Sequence, residues 1–472
     1  MNITEYSKYD GLGLAELVRK REVAPRELIR LAIEGAEKLN PQLNAVLELF
    51  YDRLESTNDL PEDSAAPFTG VPYILKDIGS GEAGRLQEMG SLLLKGNVVR
   101  ETGYLIEKFQ KAGLISIGRG AVPEFGMSCS TESPLHGRTS NPWNIEHTSG
   151  GSSGGPAASV SAGIVPIAHA NDMGGSIRLP ASCCGLVGLK TTRGRVSIGP
   201  DFRDYPIGTI NDFAVTRSVR DSAVLLDAVE GPGADEVRTV PKPDRPYTEE
   251  LSADPGKLKV AVWSETMIEQ AVDPEVAAVV NNTAKQLEEM GHHVEEAIYP
   301  IDYRKFQEFD ADVTGVLVAS AFEHFKHDIG MAIDESQLDD ITKWLLNRGR
   351  ETNGIRLFAG MEAHNELRHN IYRFFKQYDL LITPTITILP EKLPVLNTYY
   401  RWDLYCQYLL PASVAGNPGM SLPLGMSKSG LPIGVQLVGP FGDESTLFRI
   451  AGALEEAIPW KDRRPPIHVS NS

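Results

Sequence analysis

Two glycine loops that carry serine, and one lysine in an apolar setting, are the residues of this chain whose types and spacing could do covalent chemistry. GGSSGG covers residues 150–155 and NDMGGSIR covers residues 171–178, which puts Ser152 and Ser176 24 residues apart. Gly174 and Gly175 lack a Cβ, so the chain can turn sharply there and bring backbone N–H groups together. A serine after such a turn can attack a carbonyl while those N–H groups bind the oxyanion that forms. Donors at Met173, Gly174, Gly175 and Ser176 are therefore the expected oxyanion hole. Lys76 ends the apolar run VPYIL. A charged lysine is disfavoured in such a setting, so its pKa should fall, and a neutral amine can take a proton from a serine hydroxyl. Nucleophile, hydroxyl relay and base are then all present without a histidine, which is the outfit of serine-based acyl transfer.

Each part also has a plainer reading. The DMGGS turn fits a helix opening with Ser176 as its cap. GGSSGG fits a flexible or phosphate-cradling loop, although Gly155 is followed by Pro156 where a Walker-type loop has lysine and a hydroxyl residue. Lys76 could reach solvent or pair with Asp77. Residues 151–155 also match the G-x-S-x-G elbow, which would make Ser153 the nucleophile and require a histidine. His324, His327, His364 and His369 are poor partners for that role, because they lie in helical segments among mostly polar neighbours.

Taken together, GVPYILKD, GGSSGG and DMGGSIRLPASCCGLVGLK resemble the amidase signature family of serine hydrolases. TSNPWN before the first glycine loop and NPGMSLPLGMSKSGLPIGVQLVGP near the C-terminus extend the resemblance along nearly the whole chain, with residues 230–410 the least specific part. The resemblance implies Ser176 as nucleophile, Ser152 as the relay serine held in a cis peptide, and Lys76 as base. It implies backbone donors at Met173, Gly174, Gly175 and Ser176, with Ser153, Asp172 and Arg178 bracing the site. It implies no cofactor and no metal. HANDMGGSIRLPAS departs from the commoner Gly-Thr-Asp-Thr before the nucleophile. It looks nearer a subgroup of bacterial hydrolases of cyclic aminohexanoate oligomers and similar man-made amides or urethanes. Asn171 in that stretch is expected to alter packing behind the loop without disturbing the catalytic positions, and Arg119 is expected to be structural.

The elements that must position these groups alternate. VPYILK and GLISIG read as buried strands, Gly154–Gly163 as a small-residue helix, Ile164–Ala170 as an apolar strand and Gly185–Lys190 as another. Such alternation predicts an α/β sheet with helices on both faces, and the resemblance implies the amidase-signature fold, a mixed, mostly parallel twisted central sheet. One catalytic domain over 1–472 is expected. It divides into N-terminal helices (1–60), the signature core (61–228), a surface connection (229–257), a strand–helix–strand unit with a helical substrate-side insert (258–410), and C-terminal strands and a helix (411–472).

Composition narrows the function classes. Lys and Arg number 46 against 63 Asp and Glu, a net charge of −17, which repels phosphate backbones and anionic membranes. Nucleic acid and membranes are therefore not expected as partners. Four cysteines are too few for a disulfide framework; Cys183 and Cys184 in SCCGLVGL read as small buried hydrophobes. No Cys-x-x-Cys or His-x-x-x-His spacing points to zinc. MNITEYSKYDGLG has no basic start before an apolar core, so no secretory signal and a cytoplasmic location are expected.

The expected activity is hydrolysis of the C–N bond of small or oligomeric amides (aryl amides, aminohexanoate-type oligoamides) or carbamates, by way of an acyl-enzyme. The alternative is the catalytic subunit of a tRNA-dependent amidotransferase. A small-molecule amide or carbamate is the expected partner, and a homodimer is the family-level expectation. Residues 121–143 and 303–410 are expected to shape the pocket, with Phe125, Met127, Trp344, Tyr399, Tyr400 and Trp402 supplying aromatic and apolar surface.

Overall fold

The computed structural model describes all residues except 57–64, 201–207, 328–331, 396–398 and 472. Its frame is a sheet of eleven strands. In chain order these are β1 (Val46–Leu49), β2 (Val71–Lys76), β3 (Leu114–Gly120), β4 (Ile167–Asp172), β5 (Val187–Lys190), β6 (Asn211–Thr216), β7 (Lys259–Val262), β8 (His293–Glu296), β9 (Leu380–Pro384), β10 (Gly419–Met426) and β11 (Pro432–Val438). Across the sheet they run β1-β3-β2-β4-β6-β5-β10-β11-β9-β7-β8. The central strands β2, β6 and β11 are buried along their whole length, and VPYILK and PIGVQLV read as near-continuous apolar runs because helices cover the sheet. The edge strand β8, HVEE, is largely solvated and charged, which blunts the edge against pairing with another chain.

The α/β fold and the mixed sheet agree with the sequence reading, but the sheet is not mostly parallel. Parallel pairing is confined to β3-β2-β4 and β9-β7-β8, and the other six neighbouring pairs are antiparallel. The reason is visible around β6. Strands β4 and β5 are joined by the short helix Arg178–Cys184 and run the same way, as a strand–helix–strand unit should. β6 inserts between them, antiparallel to both. Local alternation tells how consecutive strands are directed, not which strand becomes the neighbour.

A second difference lies in the N-terminal region. The helix Pro25–Leu43 opens with proline in its first turn and buries Leu28, Leu31, Ala32, Ala36 and Leu39. It ends where Asn44 takes a left-handed conformation, φ 48°, with its N–H on the carbonyl of Asn40. The chain then enters β1, so residues 1–60 are not purely helical.

The parallel trio β3-β2-β4 brings Lys76 and Asp172, the last residues of β2 and β4, to the same carboxyl-terminal edge of the sheet. Open α/β sheets place their ligand sites at such edges. Both glycine loops lie next to this edge: one precedes the helix Gly154–Ser161, the other precedes Arg178–Cys184.

Candidate active site

Lys76 is 1% exposed, and its Nζ lies 2.8 Å from Ser152 Oγ. Burial lowers its pKa to about 7, against the opposing pull of the Asp212 and Asp172 carboxylates. It does not pair with Asp77, which is held by Arg119 at 2.8 Å and by the N–H groups of Glu88 and Gly90. Arg119 also binds Glu88 at 2.9 Å, in keeping with a structural role. His169, fully buried on β4, accepts the backbone N–H of Lys76 through Nδ1 at 3.3 Å. That leaves Nε2 to carry the hydrogen, 3.7 Å from the Asp212 carboxylate.

The peptide bond Gly151–Ser152 is cis. On the other side of Ser152, Gly126 has φ +71°, and a Cβ there would lie 3.2 Å from Ser152 Oγ. Ser153, adjacent and fully buried, donates its hydroxyl to the Asn171 carbonyl at 3.4 Å. His364 is engaged with Asp310 at 3.1 Å within the helical insert, away from the serine loops.

Ser176 follows β4 on the DMGGS loop and is only partly buried. Among the described residues its hydroxyl makes no hydrogen bond, to Ser152 or to any other group. The loop is shaped by Asp172, whose Oδ1 accepts the N–H of Gly175 at 2.7 Å and whose Oδ2 accepts that of Ile177 at 3.2 Å. Gly175 has φ +140°, and a Cβ there would come within 2.5 Å of Leu409, so only glycine fits. The engagement of Gly175 corrects the expected oxyanion hole: its N–H points at Asp172. Among the described residues the N–H groups of Met173, Gly174 and Ser176 are free of internal partners. Burial alone would raise the pKa of Asp172, but Arg178 outweighs it and holds the carboxyl below its usual range.

Arg178 is the anchor. Its other donors reach the Leu409 carbonyl at 3.0 Å, Gln436 Oε1 at 2.7 Å and Ser413 Oγ at 2.8 Å. Sequence reasoning missed Gln436, Ser413, Asp212 and His169. Gln436 did carry a signal, as the one amide in the apolar strand PIGVQLV. A second correction concerns Asn171. Its side chain does not lie behind the loop: Oδ1 accepts a hydrogen bond directly from Lys76 Nζ, and Nδ2 donates to the Ile78 carbonyl at 3.2 Å.

An apolar wall includes both chain neighbours of Gly126, the glycine that lies against Ser152. Phe125, Met127 and Trp402 pack with Val318, Phe322, Ile341 and Leu345 of the helical insert. The Phe125 ring lies 5.4 Å from that of Phe322 and 6.2 Å from that of Phe325. Trp344 is 41% exposed and takes no part in that cluster. The side chains of Tyr399 and Tyr400 lie outside the described residues.

The sequence pattern of the amidase family matches residues 27–448. The 6-aminohexanoate-cyclic-dimer hydrolase of Paenarthrobacter ureafaciens is 35% identical over 487 aligned residues, which cover 97% of this chain and 96% of that protein. The chain belongs to the amidase family. Membership makes it an amidohydrolase, acting on carbon–nitrogen bonds other than peptide bonds. Among solved structures, a 6-aminohexanoate cyclic dimer hydrolase complexed with substrate matches with a TM-score of 0.92 and 33% identity, over 98% of this chain and 99% of that one. One chain of the glutamyl-tRNA(Gln) amidotransferase of Thermotoga maritima matches with a TM-score of 0.78 and 26% identity, over 99% and 98%. Among the described residues of this amidase, no helix is long and apolar enough to cross a membrane.

Proposed function

We propose that this amidase cleaves small or oligomeric amides, including aminohexanoate-type oligoamides, and carbamates, through an acyl-enzyme on Ser176. The observation that carries the reading is the 2.8 Å contact between buried Lys76 Nζ and Ser152 Oγ. Ser176 Oγ bonds to the substrate carbonyl carbon. Its proton passes to Ser152 as the Ser152 proton passes to Lys76, and the N–H groups of Met173, Gly174 and Ser176 bind the oxyanion. Collapse of this intermediate breaks the C–N bond, and the amine leaves with the proton returned through Ser152. Water then attacks the ester by the same relay and frees Ser176.

The wall formed by Phe125, Met127 and Trp402 supports an apolar, extended acyl portion. The relative named for a cyclic dimer supports a polymethylene amide. The catalytic unit in this proposal is the whole chain, 1–472, working in the cytoplasm as a homodimer without nucleic acid. The net charge of −17 supports the last point and weighs against the amidotransferase alternative.

The test is a substrate panel of anilides, aliphatic amides, ε-lactam oligomers and carbamates, read by mass spectrometry with Ser176→Ala as control. Light scattering reports the oligomeric state. Activity that survives Ser176→Ala overturns the nucleophile. A chain inert on the whole panel, and active only with a co-purifying partner protein, favours the amidotransferase reading.

A further inference from the structure

Lys76 Nζ has three close oxygen neighbours: Ser152 Oγ at 2.8 Å, the Asn171 carbonyl at 3.4 Å, and Asn171 Oδ1. The two Asn171 oxygens can only accept. Of the three, only the Ser152 hydroxyl has a hydrogen to give. A neutral primary amine has two N–H groups and one lone pair. We propose that Asn171 is a positioning residue for the base: its two oxygens take both N–H groups of Lys76 and so turn the lone pair toward Ser152.

The Asn171 side chain is itself held in the required sense. Nδ2 donates to the Ile78 carbonyl at 3.2 Å, so Oδ1 is the atom turned to the amine. Ile78 lies two residues beyond Lys76, so one amide ties the exit of β2 to the end of β4. Without that side chain only the longer carbonyl contact remains, and one N–H lacks an acceptor. The amine then turns an N–H toward Ser152, which makes Ser152 an acceptor and reverses the relay. The charges facing Lys76 are Asp212 from β6 and Asp172 from β4, the latter paired with Arg178. The His169 imidazole touches its backbone.

This inference rests on Lys76 being the base, and the experiment separates the two. Asn171→Leu keeps the size and removes the acceptor; Asn171→Asp keeps the acceptor and adds a carboxylate. Both are assayed on hexanoyl p-nitroanilide, or on the best substrate of the panel, with folding checked by thermal melts. Asn171→Leu is expected to lower kcat about 100-fold, with KM within about threefold of the native value. Asn171→Asp stabilises charged Lys76, so the acid limb of kcat/KM moves up by about one pH unit or more and activity recovers at alkaline pH. The moved limb shows that the side chain at position 171 touches the amine, and the loss of kcat in Asn171→Leu shows that this contact positions it. A folded Asn171→Leu with kcat within about threefold of native overturns the proposal, as does an unmoved limb in Asn171→Asp. If the leucine variant does not fold, Asn171→Ala, which also removes the acceptor, decides by the same kcat threshold. Activity retained by Lys76→Ala defeats the base assignment itself. An inactive Lys76→Ala beside a native-like Asn171→Leu defeats only the role of Asn171.

Discussion

Arg178 grips Asp172 with two parallel hydrogen bonds, Nε to Oδ2 at 2.9 Å and Nη2 to Oδ1 at 2.8 Å, and neither side chain has any exposed surface. The pair does more than neutralise itself. Asp172 holds the Ser176 loop through Gly175 and Ile177, while Arg178 ties that loop to Leu409, Ser413 and Gln436. Arg178→Met leaves a buried carboxylate uncompensated. Chemical denaturation should record a loss of about 3–5 kcal/mol, with activity lost as well. Arg178→Lys should not rescue it, because an ammonium cannot reproduce the planar fork. Native-like stability in Arg178→Met would show that the pair does not hold the loop.

The pH profile should carry the signature of the amine. In the proposed mechanism Lys76 works as a base only when neutral, and burial brings its pKa to about 7. kcat/KM should therefore fall about tenfold per unit below that pH and level off above it. Asp212 is the largest influence raising that pKa. Asp212→Asn should move the acid limb to lower pH. A limb that stays in place, measured on folded protein, removes Asp212 from the electrostatics of the base.

Two buried lysines weaken the fold. Lys190, 0% exposed with its Nζ on the Thr191 carbonyl at 2.9 Å, is lowered by burial to about 7, as Lys76 is. In both, the folded state favours the neutral amine and the unfolded chain the charged one. The penalty is fully present below about pH 7 and fades as pH rises toward the unfolded value of about 10.5. At neutral pH, Lys76→Met and Lys190→Met should each stabilise by an amount on the order of a few kcal/mol, shrinking in alkaline melts. Lys76→Met should be inactive and Lys190→Met active. Equal loss of activity in both would give Lys190 a part in the reaction.

The four cysteines are buried and free, and Cys129 and Cys406 approach to 3.6 Å between sulfurs. Burial pushes the thiols of Cys183 and Cys184 well up. Ellman's reagent should react slowly with the native protein and promptly with four thiols in denaturant. A fast-reacting thiol in the native state would contradict the packing.

Much of the proposed site was legible because the groups it would use lie in short segments. Lys76 before a polar turn, and serines among glycines at Ser152, Ser153 and Ser176, declare themselves by residue type. Asp172 and Arg178 lie close enough in sequence to Ser176 to be read with it. Most strands were legible as apolar runs and the charged edge strand β8 as the end of a strand–helix–strand unit; β1, a short edge strand following a helix, and β6 were not. The sheet order was not legible, since inserting β6 between β4 and β5 is decided by which surfaces bury best across the chain.

What the linear order of residues determined by itself was the α/β class and the set of groups proposed to react, because glycine freedom, apolar periodicity and side-chain chemistry are local properties. Only the tertiary structure decided which groups are neighbours. Gln436 and Ser413 reach Arg178 from more than 230 positions away. Asp172 takes the Gly175 N–H, and the oxygens of Asn171 close around an amine delivered from β2. Those contacts depend on strand order and burial, and burial is what brings the Lys76 amine down to about 7.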